Sequence, residues 1–98
     1  MTKILSHDEI NDALTTITPW KKVGTTITRD VVTADFPAAL GLAVEIGVLA
    51  EKAFHHPDID IRYNKIHLVL TTHDAGGLTR KDFALATEIE RALKARHG

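Results

Sequence analysis

The 98-residue chain contains no cysteine. Disulfide bonds, thiolate nucleophiles, zinc fingers and iron–sulfur clusters all use cysteine, so the sequence excludes these kinds of site. Long hydrophobic runs are also missing, since no stretch approaches the roughly 20 apolar residues that cross a bilayer. At the N-terminus only Ile4 and Leu5 form a hydrophobic run, which is far shorter than the core of a signal peptide. We therefore expect a soluble, cytoplasmic protein that does not bind membranes.

An excess of charge of one sign is lacking as well. Twelve Lys and Arg residues stand against 13 Asp and Glu residues, a net charge of −1 with neutral histidines. Proteins that bind nucleic acids depend on a basic field, so we expect no direct binding to DNA or RNA. A chain of this length fits one domain with one modest core.

Histidine, in contrast, is abundant, with six residues in this short chain. Its unperturbed pKa, near ~6.5, makes it the side chain best suited to proton transfer at physiological pH. The histidines are therefore the first candidates for a functional site.

The first third of the chain predicts a helix followed by a hairpin. A capping box at Ser6–Glu9 precedes apolar residues at helical spacing, and Pro19 ends this pattern. Residues 20–23 and 26–32 are rich in β-formers and flank a turn at Gly24, which is typical of two antiparallel strands.

A long apolar helix is predicted next. Asp35 is a suitable N-cap, Pro37 lies in the first turn, and the helical pattern continues to Phe54. Polar residues are scarce between Ala38 and Ala50, so this helix is apolar over more than one face. Such a helix needs a second surface to cover it. We favour a subunit interface, and the alternative is a central core helix.

Two more strands and a third helix complete the pattern. Pro57 ends the long helix, Ile59, Ile61 and Tyr63 alternate with polar residues, and Asn64-Lys65 predicts a tight connection to a strand over 66–71. Thr79 with Asp82 then opens the last helix. The order α-β-β-α-β-β-α predicts an α+β fold, a four-stranded antiparallel sheet with three helices packed on one face.

Candidate functional residues cluster where the long helix ends. Glu51 and His55 are four positions apart, so we expect their side chains to touch and the carboxylate to orient the imidazole. His56 follows directly, and Pro57 turns the chain, which places both imidazoles at a helix terminus. His73 and its neighbour Asp74 follow the fourth strand, where a loop can bring them into the same cleft.

Simpler interpretations remain open at each position. His7 and His97 are best interpreted as polar surface residues, and His67 as a solvated or hydrogen-bonded residue of the sheet. Asp82 fits equally well a helix cap and a site residue. The pair His55-His56 alone is as typical of a polar helix end as of catalysis.

The spacing of four motifs changes this balance. They are Glu51-Lys-Ala-Phe-His55-His56-Pro57, Tyr63-Asn64-Lys65, Thr72-His73-Asp74, and Gly77-Leu78-Thr79 followed by Asp82. Together they resemble the pterin-4a-carbinolamine dehydratase family, and the similarity extends over almost the whole chain. The resemblance implies one domain of this family over residues 1–98.

The resemblance also implies a reaction. Members of this family remove water from 4a-hydroxytetrahydropterin, giving quinonoid dihydropterin, in tetrahydrobiopterin recycling and without a metal or organic cofactor. The catalytic residues implied are His55 and His73 for proton transfer and His56 for positioning. Residues expected to bind the pterin or hold the cluster are Glu51, Thr71, Thr72, Asp74, Lys81 and Asp82. A homodimer through the sheets, or a homotetramer through the long helix, is also implied.

The chain departs from some relatives at three places. Phe54 replaces an acidic residue, residues 58–61 replace aromatic ones, and Lys81 replaces an arginine, which loses bidentate hydrogen bonding.

Two alternative functions stay open. One is a metal site, because His55, His56, His73 and Asp74 are competent ligands. The other is an assembly or transcriptional-cofactor module, since animal members of the family also assist dimerisation of a homeodomain transcription factor.

Overall fold

A computed structural model describes residues 3–97, and in that range the chain forms three α-helices and a four-stranded antiparallel sheet. The helices are α1 (His7–Thr15), α2 (Phe36–Ala53) and α3 (Arg80–His97). The strands are β1 (Lys21–Val23), β2 (Thr26–Val32), β3 (Asp58–Arg62) and β4 (Lys65–Leu70). A short 3₁₀ turn, His73–Ala75, joins β4 to α3. The predicted α-β-β-α-β-β-α order is confirmed.

Two predicted helix caps start α1 and α2. The Ser6 backbone N–H donates to Glu9 Oε1 at 2.8 Å, and the Glu9 N–H donates to Ser6 Oγ at 3.2 Å. The hydrogen bond that the Ser6 backbone donates is the main cause that lowers the pKa of the Glu9 carboxyl. Asp35 caps α2 in a similar way, since its Oδ1 accepts from the Ala38 N–H at 2.9 Å. Each cap satisfies backbone donors that a helix start leaves unpaired.

The sheet has the order β1-β2-β4-β3, so the two hairpins join through β2 and β4. Ile27 lies opposite Leu70, and Val32 lies opposite Lys65. The sequence predicts the strands and the hairpins, but the pairing of β2 with β4 is a tertiary feature that local patterns do not specify. This register sets the end of β4 beside the start of β2, where the Thr71 hydroxyl donates to the Thr25 carbonyl at 2.6 Å.

The core lies between the sheet and the helices. Ile66, Leu68 and Leu70 of β4 are buried, which confirms the predicted inner face of this strand. The helix residues that share this core are Leu42 and Ile46 of α2 and Leu85, Ala86 and Ile89 of α3. One side of α2 packs against the sheet and α3.

The opposite side of α2 is exposed. Its buried residues are Ala39, Leu42, Ile46 and Ala50. Its exposed apolar residues are Phe36, Leu40, Val44 and Val48. The four-residue spacing of the exposed set places it along one stripe of the helix. The helix is therefore apolar on two faces, as predicted, and only one of them is buried within residues 3–97. No helix in this range, α2 included, is long and apolar enough to cross a membrane.

The turn between β3 and β4 lies one residue earlier than predicted. Tyr63 does not continue β3, and the turn is Tyr63-Asn64, with Lys65 already in β4. Tyr63 adopts a left-handed backbone, with φ of 53°, which reverses the chain. Asn64 fixes the turn, because its side chain donates to the Thr33 carbonyl at 3.0 Å and its carbonyl accepts from the Thr33 N–H at 2.8 Å.

The first strand begins one residue later than predicted. Trp20 precedes β1, and its side chain is buried in the core. Its indole Nε1–H donates to Glu90 Oε1 of α3 at 2.8 Å, and the Arg29 Nε–H of β2 donates to the same oxygen at 2.7 Å. The side chains of Arg29 and Glu90 are only 17% and 12% exposed. A carboxylate buried this far needs its donors, so the pair ties α3 to the sheet.

Removing the Arg29 cation should therefore destabilise the fold. We expect Arg29→Met to lower the free energy of unfolding by about 2 kcal/mol, because the Glu90 carboxylate stays buried without a cation. The double variant Arg29→Met/Glu90→Gln should recover part of this loss, since the neutral amide still accepts from Trp20. Urea denaturation of the three proteins measures both effects. An unchanged midpoint for Arg29→Met would show that the ion pair does not stabilise the fold.

Candidate active site

A cavity of about 240 Å³ lies where α2 and β4 end. Its lining residues are Phe54, His55, His56, Thr71, Thr72, His73, Asp74 and Lys81. Seven of these eight are among the nine residues singled out from the sequence. The other two, Glu51 and Asp82, do not line the cavity, but each contacts one of its histidines. The fold thus brings the candidate residues together from three elements.

The last turn of α2 directs His55 into this cavity. The helix ends in a Schellman motif, in which the His55 N–H donates to the Ala50 carbonyl and the Phe54 N–H donates to the Glu51 carbonyl, both at 3.2 Å. Phe54 has a left-handed backbone, with φ of 51°, so the helix stops there. His55 consequently leaves the helical path and turns towards α3.

His55 is held by the buried carboxylate of Asp82. Its Nε2 lies 2.6 Å from Asp82 Oδ1, and its side chain is only 11% exposed. Asp82 Oδ2 accepts two further hydrogen bonds at 2.9 Å, from the Thr72 hydroxyl and from the Thr79 backbone N–H. The Thr72 and Thr79 hydroxyl oxygens lie 2.8 Å apart. Where Asp82 is the acceptor in this contact, Nε2 of His55 carries the hydrogen and Nδ1 is the ring nitrogen left for proton exchange.

The two interpretations of Asp82 left open by the sequence are therefore compatible. One carboxylate oxygen caps the start of α3 through Thr79, and the other orients His55. Sequence reasoning missed Thr79 as part of this network. The Thr79–Asp82 spacing predicted the helix cap. It could not indicate that His55, which follows α2, also contacts Asp82.

The predicted contact between Glu51 and His55 is wrong. Glu51 Oε1 instead lies 2.8 Å from Nε2 of His56, and both side chains are largely exposed. The prediction assumed that residues four apart share a helix face, but α2 ends at Ala53 and the left-handed Phe54 rotates the following residues. A pair this exposed is screened by water and contributes little to stability.

His73 is placed by a compact loop. It begins the 3₁₀ turn and is exposed. The loop is closed by Thr72, whose N–H donates to the Gly77 carbonyl at 3.1 Å and whose carbonyl accepts from the Gly76 N–H at 3.0 Å. Gly76 has φ of 78°, a conformation that a residue with a Cβ atom rarely adopts. Asp74 and Lys81, both exposed, complete the rim.

A larger cavity, of about 640 Å³, lies between α1 and α3. It is lined by Leu5, Glu9, Asp12, Ala13, Arg80, Phe83, Ala84 and Thr87, and no histidine is among them. Size alone favours this cavity, but His55, His56 and His73 line the smaller one. We therefore place the candidate site at the smaller cavity.

The remaining histidines lie elsewhere. His67 is on β4 outside the cavity, with Nδ1 2.5 Å from Asp30 Oδ1, which fits a hydrogen-bonded residue of the sheet. His7 is exposed at the start of α1, and the side chain of His97 lies outside the described part of the chain. Among the side chains that the structure describes, no group of three or more His, Asp or Glu residues is arranged to hold a metal ion.

Comparison with known proteins decides the family. Residues 3–92 match the model of the family described as pterin 4 alpha carbinolamine dehydratase. The chain belongs to this family. A carbinolamine dehydratase relative from Roseiflexus sp. (strain RS-1), whose name is assigned provisionally, is 49% identical over 89 residues, or 91% of this chain and 96% of its own. A similarly named protein from Chloroflexus aurantiacus (strain J-10-fl) is 51% identical over the same shares.

A solved dehydratase structure has the same fold. The crystal structure of a transcriptional coactivator/pterin dehydratase from Brucella melitensis superposes with a TM-score of 0.86 and 33% sequence identity. The match covers 91% of this chain and 97% of that one. The α+β fold predicted from the sequence is thus that of a pterin dehydratase.

The network behind His55 should be essential to the stability of this dehydratase fold. Thr72→Val keeps the side-chain shape but removes one of the two donors to the buried Asp82 Oδ2. We expect the free energy of unfolding to fall by about 1–3 kcal/mol. Thr72→Ser, which keeps the hydroxyl, is the matched control and should lose less. Chemical denaturation compares the two, and equal stability would contradict a stabilising role for the hydroxyl.

Proposed function

We propose that this protein catalyses the dehydration of 4a-hydroxytetrahydropterin to quinonoid dihydropterin and water. The observation that carries the proposal is the convergence of His55, His56 and His73 on one small cavity, with a carboxylate behind two of them. Membership of the pterin dehydratase family supplies the substrate class. The cavity volume lies below the roughly 300–1,000 Å³ typical of sites for drug-sized ligands, which suits a small bicyclic ring.

The reaction needs one proton donor and one proton acceptor. C4a of the substrate carries a hydroxyl group and is bonded to N5, which carries a hydrogen. Loss of water requires a proton delivered to the departing hydroxyl and a proton removed from N5, and a C4a–N5 double bond forms. We assign these two steps to His55 and His73. General acid–base catalysis of this kind contributes about 10²–10⁴ in rate for each group.

The surroundings of the three histidines suggest different roles. Asp82 holds the nearly buried His55 in one orientation, so Nδ1 of this ring can be aimed at the substrate. His73 is exposed and can exchange its proton with water. His56, paired with Glu51 in solvent, is placed to hydrogen-bond the substrate. Glu51 and Asp82 do not line the cavity, so we assign them to holding histidines and not to direct contact with the pterin.

The polar rim suits the edge of the pterin ring. That edge carries amide-like donors and acceptors, and Thr71, Asp74 and Lys81 offer groups that complement them. Thr72 supports this rim indirectly, because its hydroxyl is bound to Asp82 and its backbone closes the loop that carries His73. The substrate is what remains after an aromatic amino acid hydroxylase has used its tetrahydropterin, so we propose a cytoplasmic role in tetrahydrobiopterin recycling.

Substitution of the two histidines tests this mechanism. His55→Gln keeps a donor in place of Nε2 for the buried Asp82 but cannot exchange a proton, and His73→Ala removes the second imidazole. We expect each variant to lower kcat by about 10²–10⁴. The measurement is the rate at which enzymatically generated 4a-hydroxytetrahydropterin decays, followed by absorbance.

His7→Ala is the matched control, since His7 is exposed at the start of α1 and outside the cavity. Its rate should equal that of the parent protein. A double variant, His55→Gln/His73→Ala, that dehydrates the substrate as fast as the parent would overturn the catalytic assignment.

The exposed stripe of α2 supports a homo-oligomer. Phe36, Leu40, Val44 and Val48 present a continuous apolar surface, and a second copy of the chain offers the same surface to cover it. We propose dimers that associate into tetramers through this helix. The name transcriptional coactivator applies to the Brucella protein, and nothing in residues 3–97 of this chain adds to it.

Placing a charge in the stripe should weaken this assembly. Val44→Lys sets an ammonium group at the centre of the apolar surface, so we expect a smaller molar mass by light scattering than for the parent. Asn11→Lys adds the same charge at an exposed position of α1 and should leave the mass unchanged. A parent protein with the mass of a single chain would contradict the proposed interface.

A further inference from the structure

Phe54 stands apart from the other residues that line the cavity. Seven of the eight lining side chains are polar, and Phe54 is the eighth. It is also 86% exposed, the largest exposed fraction among the large apolar side chains that the structure describes. A lone exposed apolar residue needs no explanation by itself. Its place at the mouth of a polar site is what requires one.

The backbone of Phe54 adds a second, independent observation. Phe54 occupies the left-handed position of the Schellman motif, with φ of 51°. Glycine is usual at this position, and asparagine is the common substitute, because a bulky side chain is disfavoured there. The chain therefore carries a strained backbone and an exposed aromatic ring at the same residue. Strained conformations of this kind cluster at ligand-binding sites.

We propose that Phe54 is a substrate-binding residue whose ring stacks on the face of the pterin. This inference rests on the proposed function and extends it to a residue that the proton-transfer mechanism does not use. The polar groups of the cavity can satisfy the edge of a pterin, but they offer no flat apolar surface to its face. A phenyl ring beside His55 supplies that surface, and stacked ring pairs have centroids about 4.5–7 Å apart.

Stacking suits the substrate and the product alike. C4a is tetrahedral in the substrate and conjugated with N5 in the quinonoid product, but the pyrimidinone part of the ring away from C4a is flat in both. A flat wall therefore contacts the ring before and after water leaves. Phe54 takes no part in proton transfer, so its contribution should be found in ring binding.

The test uses variants that separate the ring from the backbone. Phe54→Gly and Phe54→Asn both remove the ring and place a residue that accepts the left-handed conformation, so thermal stability should be maintained or improved. Phe54→Tyr keeps an aromatic ring. The probe is 6-methylpterin, a planar fluorescent pterin, titrated against each folded protein.

We expect Phe54→Tyr to bind the probe as the parent does. Phe54→Gly and Phe54→Asn should bind it about 5- to 150-fold more weakly, the range that a stacked aromatic side chain contributes to binding a base. In the dehydration assay the same two variants should raise KM more than they lower kcat. A purely structural role would not give this split together with rescue by tyrosine.

Two failures can be told apart. If the parent dehydrates the substrate and the glycine and asparagine variants keep its affinity and KM, the stacking inference is wrong and the proposed function stands. If the parent neither binds the probe nor accelerates dehydration, the proposed function is wrong and the inference falls with it.

Discussion

The carboxylate of Asp82 is the interaction on which the rest of the site depends. It is completely buried, and a buried charge is tolerated only where hydrogen bonds replace the water it has lost. The partners come from three places in the fold: His55 after α2, Thr72 after β4, and the Thr79 N–H at the start of α3. One side chain thus fixes the relative positions of three segments, two of which continue into the cavity wall.

This arrangement divides the histidines by their burial and their access to water. His55 is locked by Asp82 and nearly buried, while His56 and His73 are exposed. A proton-transfer site needs both properties, since one group must be aligned with the substrate and another must exchange protons with the solvent. Among the residues that the structure describes, no histidine lines the larger cavity between α1 and α3.

Much of the fold could be predicted because its signals are local. Ser6 and Asp35 start α1 and α2 where their capping patterns indicate, and the alternation through Leu68 gives the inner face of β4. The pairing of β2 with β4 could not be predicted, since it depends on contacts between distant hairpins. The candidate site followed from the order and spacing of motifs, and seven of its nine residues do line one cavity.

The errors at the site have a common physical origin. The predicted Glu51–His55 contact assumed a continuous helix, but the left-handed backbone at Phe54 ends α2. As a result Glu51 contacts His56, and His55 contacts Asp82. A phenylalanine does not predict a left-handed helix end, because glycine or asparagine is usual at that position. The presence of an aromatic residue where glycine or asparagine is usual also makes Phe54 a candidate for substrate contact.

We propose that this chain dehydrates a pterin carbinolamine. The lifetime of 4a-hydroxytetrahydropterin tests this proposal, when the compound is generated by an aromatic amino acid hydroxylase and followed by absorbance with and without the purified protein. We expect catalytic amounts of the protein to shorten this lifetime and quinonoid dihydropterin to form at a matching rate. A decay that proceeds at the uncatalysed rate, with folded protein present in excess over the pterin, would contradict it.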